Sequence, residues 1–199
     1  MQAVMDKRYV VTKPAFKAHY VVATPDGEAV YFVAIKTKIK PSKPRLTFHV
    51  GASKEAPVVA VLHFQVPNVI MKVGLGDPAA DTGAVEWEDL SCLNKVTHAK
   101  YTWSMTIPDA DGAPQRRQFT WTRTRNRGIE GVKPTRGTNR HWKLAEDGSD
   151  EIVALFTGQA KIGHCGTLAM CEDMGEKFHR MALVTLMGLY DRARSAGGG

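Results

Sequence analysis

The sequence predicts a mainly β protein, a β-barrel of roughly twelve strands closed around one central hydrophobic C-terminal α-helix. Two observations carry this. Short apolar or alternating runs recur every 8 to 15 residues or so, with turn residues between them, as in barrels and sandwiches. Only Asp173 to Arg194 (DMGEKFHRMALVTLMGLYDRAR) reads as a strong helix. Its middle, Met181 to Tyr190, is apolar apart from Thr185 and Gly188. A helix that is apolar all round must be buried on every side. That stretch is far shorter than the roughly 20 residues needed to cross a bilayer, so no transmembrane span is expected.

The elements follow in order. Tyr20 to Ala23 and Glu28 to Tyr31 flank Thr24-Pro25-Asp26-Gly27, a hairpin signal in which Pro presets one dihedral and Gly takes the left-handed position. The second run continues through Ile35. Leu46 to Val50, Val58 to Phe64 and Val69 to Val73 are further strands, and 74–83 (GLGDPAADTG) reads as a loop. Ala84 to Glu88 and Val96 to Met105 come next, followed by a turn over 108–112. In Gln118 to Arg125, Phe119, Trp121 and Arg123 alternate with threonines and share one face. The segment 127–140 is expected to be an exposed basic loop. Trp142 to Leu144, Glu151 to Phe156 and Gly166 to Met170 complete the strands. Asp173 is the expected helix N-cap, with Glu176 at the capping-box position. Acids stand at the positive end of the helix dipole, and Arg192 and Arg194 at the negative end.

With 199 residues and no internal break in composition, residues 1–194 are read as one domain, with 195–199 as a disordered tail. No run resembles a secretory leader. Three cysteines (Cys92, Cys165, Cys171) are too few for a disulfide framework. An intracellular protein with free thiols is expected, in the cytoplasm, at the inner face of the plasma membrane or in the nucleus. The net charge of +7 is unevenly distributed. Between Arg116 and Lys143 there are nine Lys or Arg against one Glu, and Lys36, Lys38, Lys40, Lys43 and Arg45 form a second cluster. Such segregation favours anionic partners.

The Phe119-Thr-Trp121-Thr-Arg123 strand, then Trp142-Lys-Leu144, Ile152-Val-Ala154-Leu-Phe156 and Gly166-Thr-Leu168, lead into the closing apolar helix. In this order they resemble the tubby C-terminal domain superfamily, which includes LURP-one-related proteins, fungal tubby-like proteins and the phospholipid scramblases. The resemblance covers residues 116–194. It implies a barrel around a C-terminal helix, no enzyme signature, and phosphoinositide binding through basic residues. The segment before the helix, 171–176, lacks the alternating oxygen ligands of a scramblase calcium site.

Lys36, Lys38 and Lys40 alternate, so on a strand they would form one cationic stripe. Beside Arg116, Arg117, Arg123, Arg125 and Arg127 it would hold a multiply charged headgroup, with Arg suited to bidentate phosphate contact. The expected function is therefore a non-catalytic peripheral membrane adaptor for phosphoinositide or other anionic headgroups, without cofactor or metal. One alternative is a protein-interaction or structural module without a ligand. The other is nucleic-acid binding, which requires Phe119 and Trp121 to be exposed for base stacking beside the arginines. No nucleophile motif or phosphate loop is present. His164, Cys165, Cys171 and His179 lack a usual zinc spacing.

Overall fold

The structure, a computed structural model, describes residues 7–38, 40, 42–65, 70–109, 111–124, 129, 140–149 and 151–196. Twelve antiparallel strands form a closed barrel: β1 (Lys7–Thr12), β2 (His19–Ala23), β3 (Ala29–Ile35), β4 (Leu46–Val50), β5 (Val58–Gln65), β6 (Ile70–Leu75), β7 (Glu86–Cys92), β8 (Lys100–Pro108), β9 (Pro114–Thr124), β10 (His141–Glu146), β11 (Ile152–Lys161) and β12 (His164–Met170). Each strand pairs with its sequence neighbours, and β1 closes the ring against β12. The helix α1 (Glu176–Ala196) follows. Closure removes the sheet edges that would otherwise be open to foreign strands.

The alternation of each strand sends one set of side chains inward. Tyr20 and Val22, Val33, Phe48, Leu62, Val73, Trp103, Phe119, Trp121, Leu144, Phe156 and Leu168 are among those buried in one core with the apolar residues of α1. From Met181 to Asp191 every residue of α1 is buried. The helix therefore lies inside the barrel. Near its start, Phe178 meets Trp103 and Phe119 at ring-centroid distances of 5.8 and 5.0 Å. Near its end, Tyr190 meets Tyr20 and Phe156 edge-on at 6.1 and 5.9 Å.

Both interruptions of the apolar helix are explained by its surroundings. The Trp121 indole N–H donates to Thr185 Oγ1 at 2.9 Å, and that hydroxyl lies 2.9 Å from the Met181 carbonyl, to which it donates. A polar residue at the barrel centre is thus satisfied on both sides. At Gly188, a Cβ would stand 2.4 Å from Leu62 Cδ1 and 3.0 Å from Met71 Sδ. The helix needs a residue without a side chain where β5 and β6 press closest. On an exposed helix, Gly→Ala stabilises by about 1 kcal/mol. Here Gly188→Ala is expected to destabilise by ~1–3 kcal/mol through overpacking, visible as a lower thermal midpoint. An unchanged or raised midpoint would show that the interior is looser than this packing.

Several boundaries differ from the sequence reading. β1 was not expected; it places Tyr9 and Val11 inside and closes the ring. β6 runs through Gly74 and Leu75 because Gly74 lies beneath Trp87, where a Cβ would meet the ring at 2.7 Å. β7 starts only at Glu86, since Asp81 caps a one-turn 3₁₀ segment over Thr82–Ala84. β8 starts only at Lys100, since Asn94 Oδ1 accepts from the N–H groups of Val96 and Thr97 and bends the chain there. The helix begins at Glu176 rather than Asp173. Gly175, at φ 87°, breaks the geometry, and the Asp173 carboxylate accepts the Gly175 N–H instead of capping the first turn. At its other end α1 continues through Ser195 and Ala196, which were expected in the tail; 197–199 lie outside the described residues. Within the expected basic loop, Ile129 is buried against Leu155 and Ala169. Among the described residues no helix is long and apolar enough to cross a membrane.

Candidate anion-binding end of the barrel

An up-and-down barrel sends alternate links to opposite ends, and here the two ends differ in charge. Links leaving the end where α1 finishes include 13–18, 36–45, 93–99 and 162–163. By sequence they carry eight Lys or Arg and no acid. Links at the other end are 24–28, 51–57, 76–85, 109–113, 147–151 and 171–175. By sequence these carry twelve Asp or Glu and one Lys. The helix dipole runs the same way, its positive end among the acids and its negative end among the cations, so each end complements it.

This polarity divides the expected site. Lys36, Lys38 and Lys40 are exposed at the basic end, but not as a strand stripe. β3 stops at Ile35, and the lysines lie in the link that follows, which contains Pro41 and Pro44. Arg123 is at the same end, half-buried with its guanidinium 5.2 Å from the Trp142 ring centroid. Arg125 and Arg127 lie outside the described residues. Arg116 and Arg117 belong to the opposite, acidic end and do not join the lysines. Both are held there by carboxylates, Arg116 by Glu88 and Arg117 by Glu146, each through two hydrogen bonds. These carboxylates hold both guanidinium groups above their usual pKa. Counting arginines along one strand grouped residues that the length of β9 sends to opposite ends.

Arg45 has a structural part. Its Nε donates to Asp191 Oδ2 at 2.6 Å and its Nη1 to the Lys36 carbonyl at 2.5 Å. The Tyr20 hydroxyl donates to the other Asp191 oxygen at 2.8 Å. Burial, and then the Asp191 carboxylate, push the Tyr20 phenol far above its ordinary pKa, so it stays a donor. This cluster anchors the end of α1 to the β3–β4 link.

Two clefts open beside it. One, about 300 Å³, is lined by Lys13, Arg140, Lys161, His164, Cys165 and Arg194, among others. The second, about 350 Å³, includes Lys13, Lys17, Arg45 and Arg194. Neither cleft is lined by a carboxylate. Arg140 is steadied by the Tyr190 hydroxyl at 3.3 Å, and Arg194 by the Tyr20 hydroxyl at 3.2 Å. Lys13, Arg140, Lys161 and Arg194 come from four separate places in the chain, so no sequence cluster announced them. Buried Cys165 in the first cleft has its pKa raised by desolvation, which disfavours the thiolate.

Phe119 and Trp121 are fully buried in the core, which removes the stacking surface that nucleic-acid binding required. The cysteine–histidine set considered for a metal is also split, with Cys165 beside Tyr190 and His179 near the start of the helix. At the basic end, Cys92 Sγ lies 3.5 Å from His98 Nδ1 but is also 3.1 Å from the Asn94 carbonyl, to which it donates. Burial lowers the His98 pKa, so this imidazole is a weak base for the thiol. No protein-family model and no curated protein matches the chain.

Proposed function

We propose that the protein is a non-catalytic peripheral membrane adaptor. Its basic end binds anionic phospholipid headgroups, phosphoinositides in particular, at a cytoplasm-facing surface such as the inner leaflet of the plasma membrane. One observation carries this reading: an end of the barrel rich in cations, with a cleft lined by Lys13, Arg140, Lys161 and Arg194 and no carboxylate. The resemblance to the tubby C-terminal domain superfamily supports the choice of a phosphoinositide. Exposed Lys36, Lys38 and Lys40 on the neighbouring link add long-range attraction. Each cation near an anionic surface contributes about 1 kcal/mol.

The test is vesicle co-sedimentation with and without phosphoinositide, at physiological and high salt. Binding is expected to need the phosphoinositide and to weaken as salt screens the charges. Replacing Lys13 and Lys161 together by Ser should weaken it roughly thirtyfold, two cations at about 1 kcal/mol each. Replacing Lys54 and Lys177 by Ser at the acidic end removes the same charge and should change little. Equal losses from both pairs would mean that only net charge matters. No vesicle binding would reject the reading.

A further inference from the structure

The basic end also carries protruding apolar side chains. Among the described residues the exposed large hydrophobics are Phe16 at 106%, Ile162 at 92%, Val96 at 91%, Leu93 at 57% and Val50 at 46%. All except Val50 lie on links of the basic end. Phe16 is on the β1–β2 link, Leu93 and Val96 on β7–β8, and Ile162 on β11–β12. Single exposed apolar residues are ordinary, but their concentration at one charged end is not.

The turn that holds Phe16 is built against usual turn chemistry. Lys17 N–H donates to the Pro14 carbonyl at 3.2 Å, and Phe16, third in that turn, has φ 61°. A positive φ there is the place of glycine, and a bulky residue pays in backbone strain. Ile162-Gly163 is a two-residue hairpin tip, with Gly163 at φ 81°. Ile162 keeps an ordinary negative φ, so this tip presents its side chain to solvent without backbone strain. The Asn94 side chain accepts the Val96 N–H and fixes the bend that leaves Val96 outside. The strain at Phe16 is of a kind that clusters at functional sites.

We propose that this end docks flat on an anionic lipid bilayer, with Phe16, Val96 and Ile162 inserted among the acyl chains and the surrounding lysines at headgroup level. This rests on the headgroup-binding reading and adds to it an orientation and an insertion step. The ring order favours a broad flat surface over a compact ligand. In a ring of twelve strands, the β1–β2 and β7–β8 links are diametrically opposed, and β11–β12 is next to β1–β2. Twelve strands tilted as in typical barrels make a ring roughly 25 Å across. Only an extended surface touches both sides of it while meeting cations between them. The acidic pole then faces away from the membrane, so the barrel axis stands along the membrane normal.

The experiment measures binding to vesicles containing phosphoinositide or phosphatidylserine, and to neutral phosphatidylcholine vesicles. It compares the wild-type chain with the triple variant Phe16→Ser, Val96→Ser, Ile162→Ser. Losing each apolar tip should weaken partitioning about tenfold, and the binding that survives in high salt should disappear. Thermal unfolding of the variant should match wild type, because the tips are exposed. Phe16→Gly alone should weaken binding while leaving the thermal midpoint unchanged or higher, opposite trends that a packing role would not give. Separately, Ile162→Trp read against brominated acyl chains should show quenching on anionic vesicles, beyond that of the wild-type tryptophans.

If the wild type binds with full salt sensitivity, while the triple variant binds equally well and the new Trp is not quenched, insertion is overturned and headgroup recognition stands. If the wild type binds no vesicle, both fall, and the apolar tips are then to be explained by a protein partner.

Discussion

Leu186→Asp is expected to leave the chain unfolded. Leu186 is fully buried in the core cluster shared by the helix and the strands. An unpaired carboxylate there costs several kcal/mol even after relaxation, and the leucine's own burial is lost as well. Domain stabilities of about 5–15 kcal/mol leave little after such a loss. Far-UV circular dichroism and size exclusion of the purified variant provide the check. Leu186→Met, which keeps volume and polarity, should cost below about 1.5 kcal/mol and retain a cooperative transition. If Leu186→Asp unfolds at the wild-type temperature, the helix does not occupy the barrel.

Asp191→Ala is the second large effect, of a different kind. Asp191 is fully buried, accepts from Arg45 and Tyr20, and pairs with an Arg45 side chain that is 8% exposed. Removing one partner of a buried pair costs about 3–5 kcal/mol, because the other charge remains buried and uncompensated. For a chain of this size that is a fall in thermal midpoint of roughly 6–20 °C. Replacing both partners, as Asp191→Leu with Arg45→Met, should be less harmful than Asp191→Ala alone. If the double variant is worse than either single one, the anchor works through geometry rather than charge. The loss should also loosen the β3–β4 link, since Arg45 holds the Lys36 carbonyl, and so weaken vesicle binding beyond the stability effect.

Much of the fold was legible because periodicity is local. The strand at Leu46–Val50 is where the sequence placed it, and the apolar stretch of α1 indicated burial on all sides. Boundaries failed where a single side chain decided them. Asp81 and Asn94 turned predicted strand starts into capped turns, and Gly74 became strand because Trp87 needed its space. β1 was hidden by Lys7 and Arg8 at its start, although Tyr9 and Val11 alternate inward.

The site was less legible, and the reason is topological. The links that carry net charge alternate in sign with the end they leave from: 13–18, 36–45 and 93–99 are basic, 24–28, 76–85 and 109–113 acidic, while 51–57 and 66–69 carry no net charge. Counted by strand number, that alternation already assigns one sign to each end. Read as runs of charge along the chain, it joined Arg116 and Arg117 to Arg123, although β9 carries them to opposite ends.

By itself the sequence determined what depends on neighbours in the chain. It set the alternation of the strands, an all-round apolar helix that had to be enclosed, and the charge of each link. Only the tertiary structure decided which cations meet. Closing the ring brings Lys13, Arg140, Lys161 and Arg194 to one cleft from points up to about 180 residues apart. It also commits Arg45 to a buried carboxylate, and Arg116 and Arg117 to surface ones. Charge is a property of a residue, whereas the freedom to bind an anion depends on which acids the fold has placed beside it.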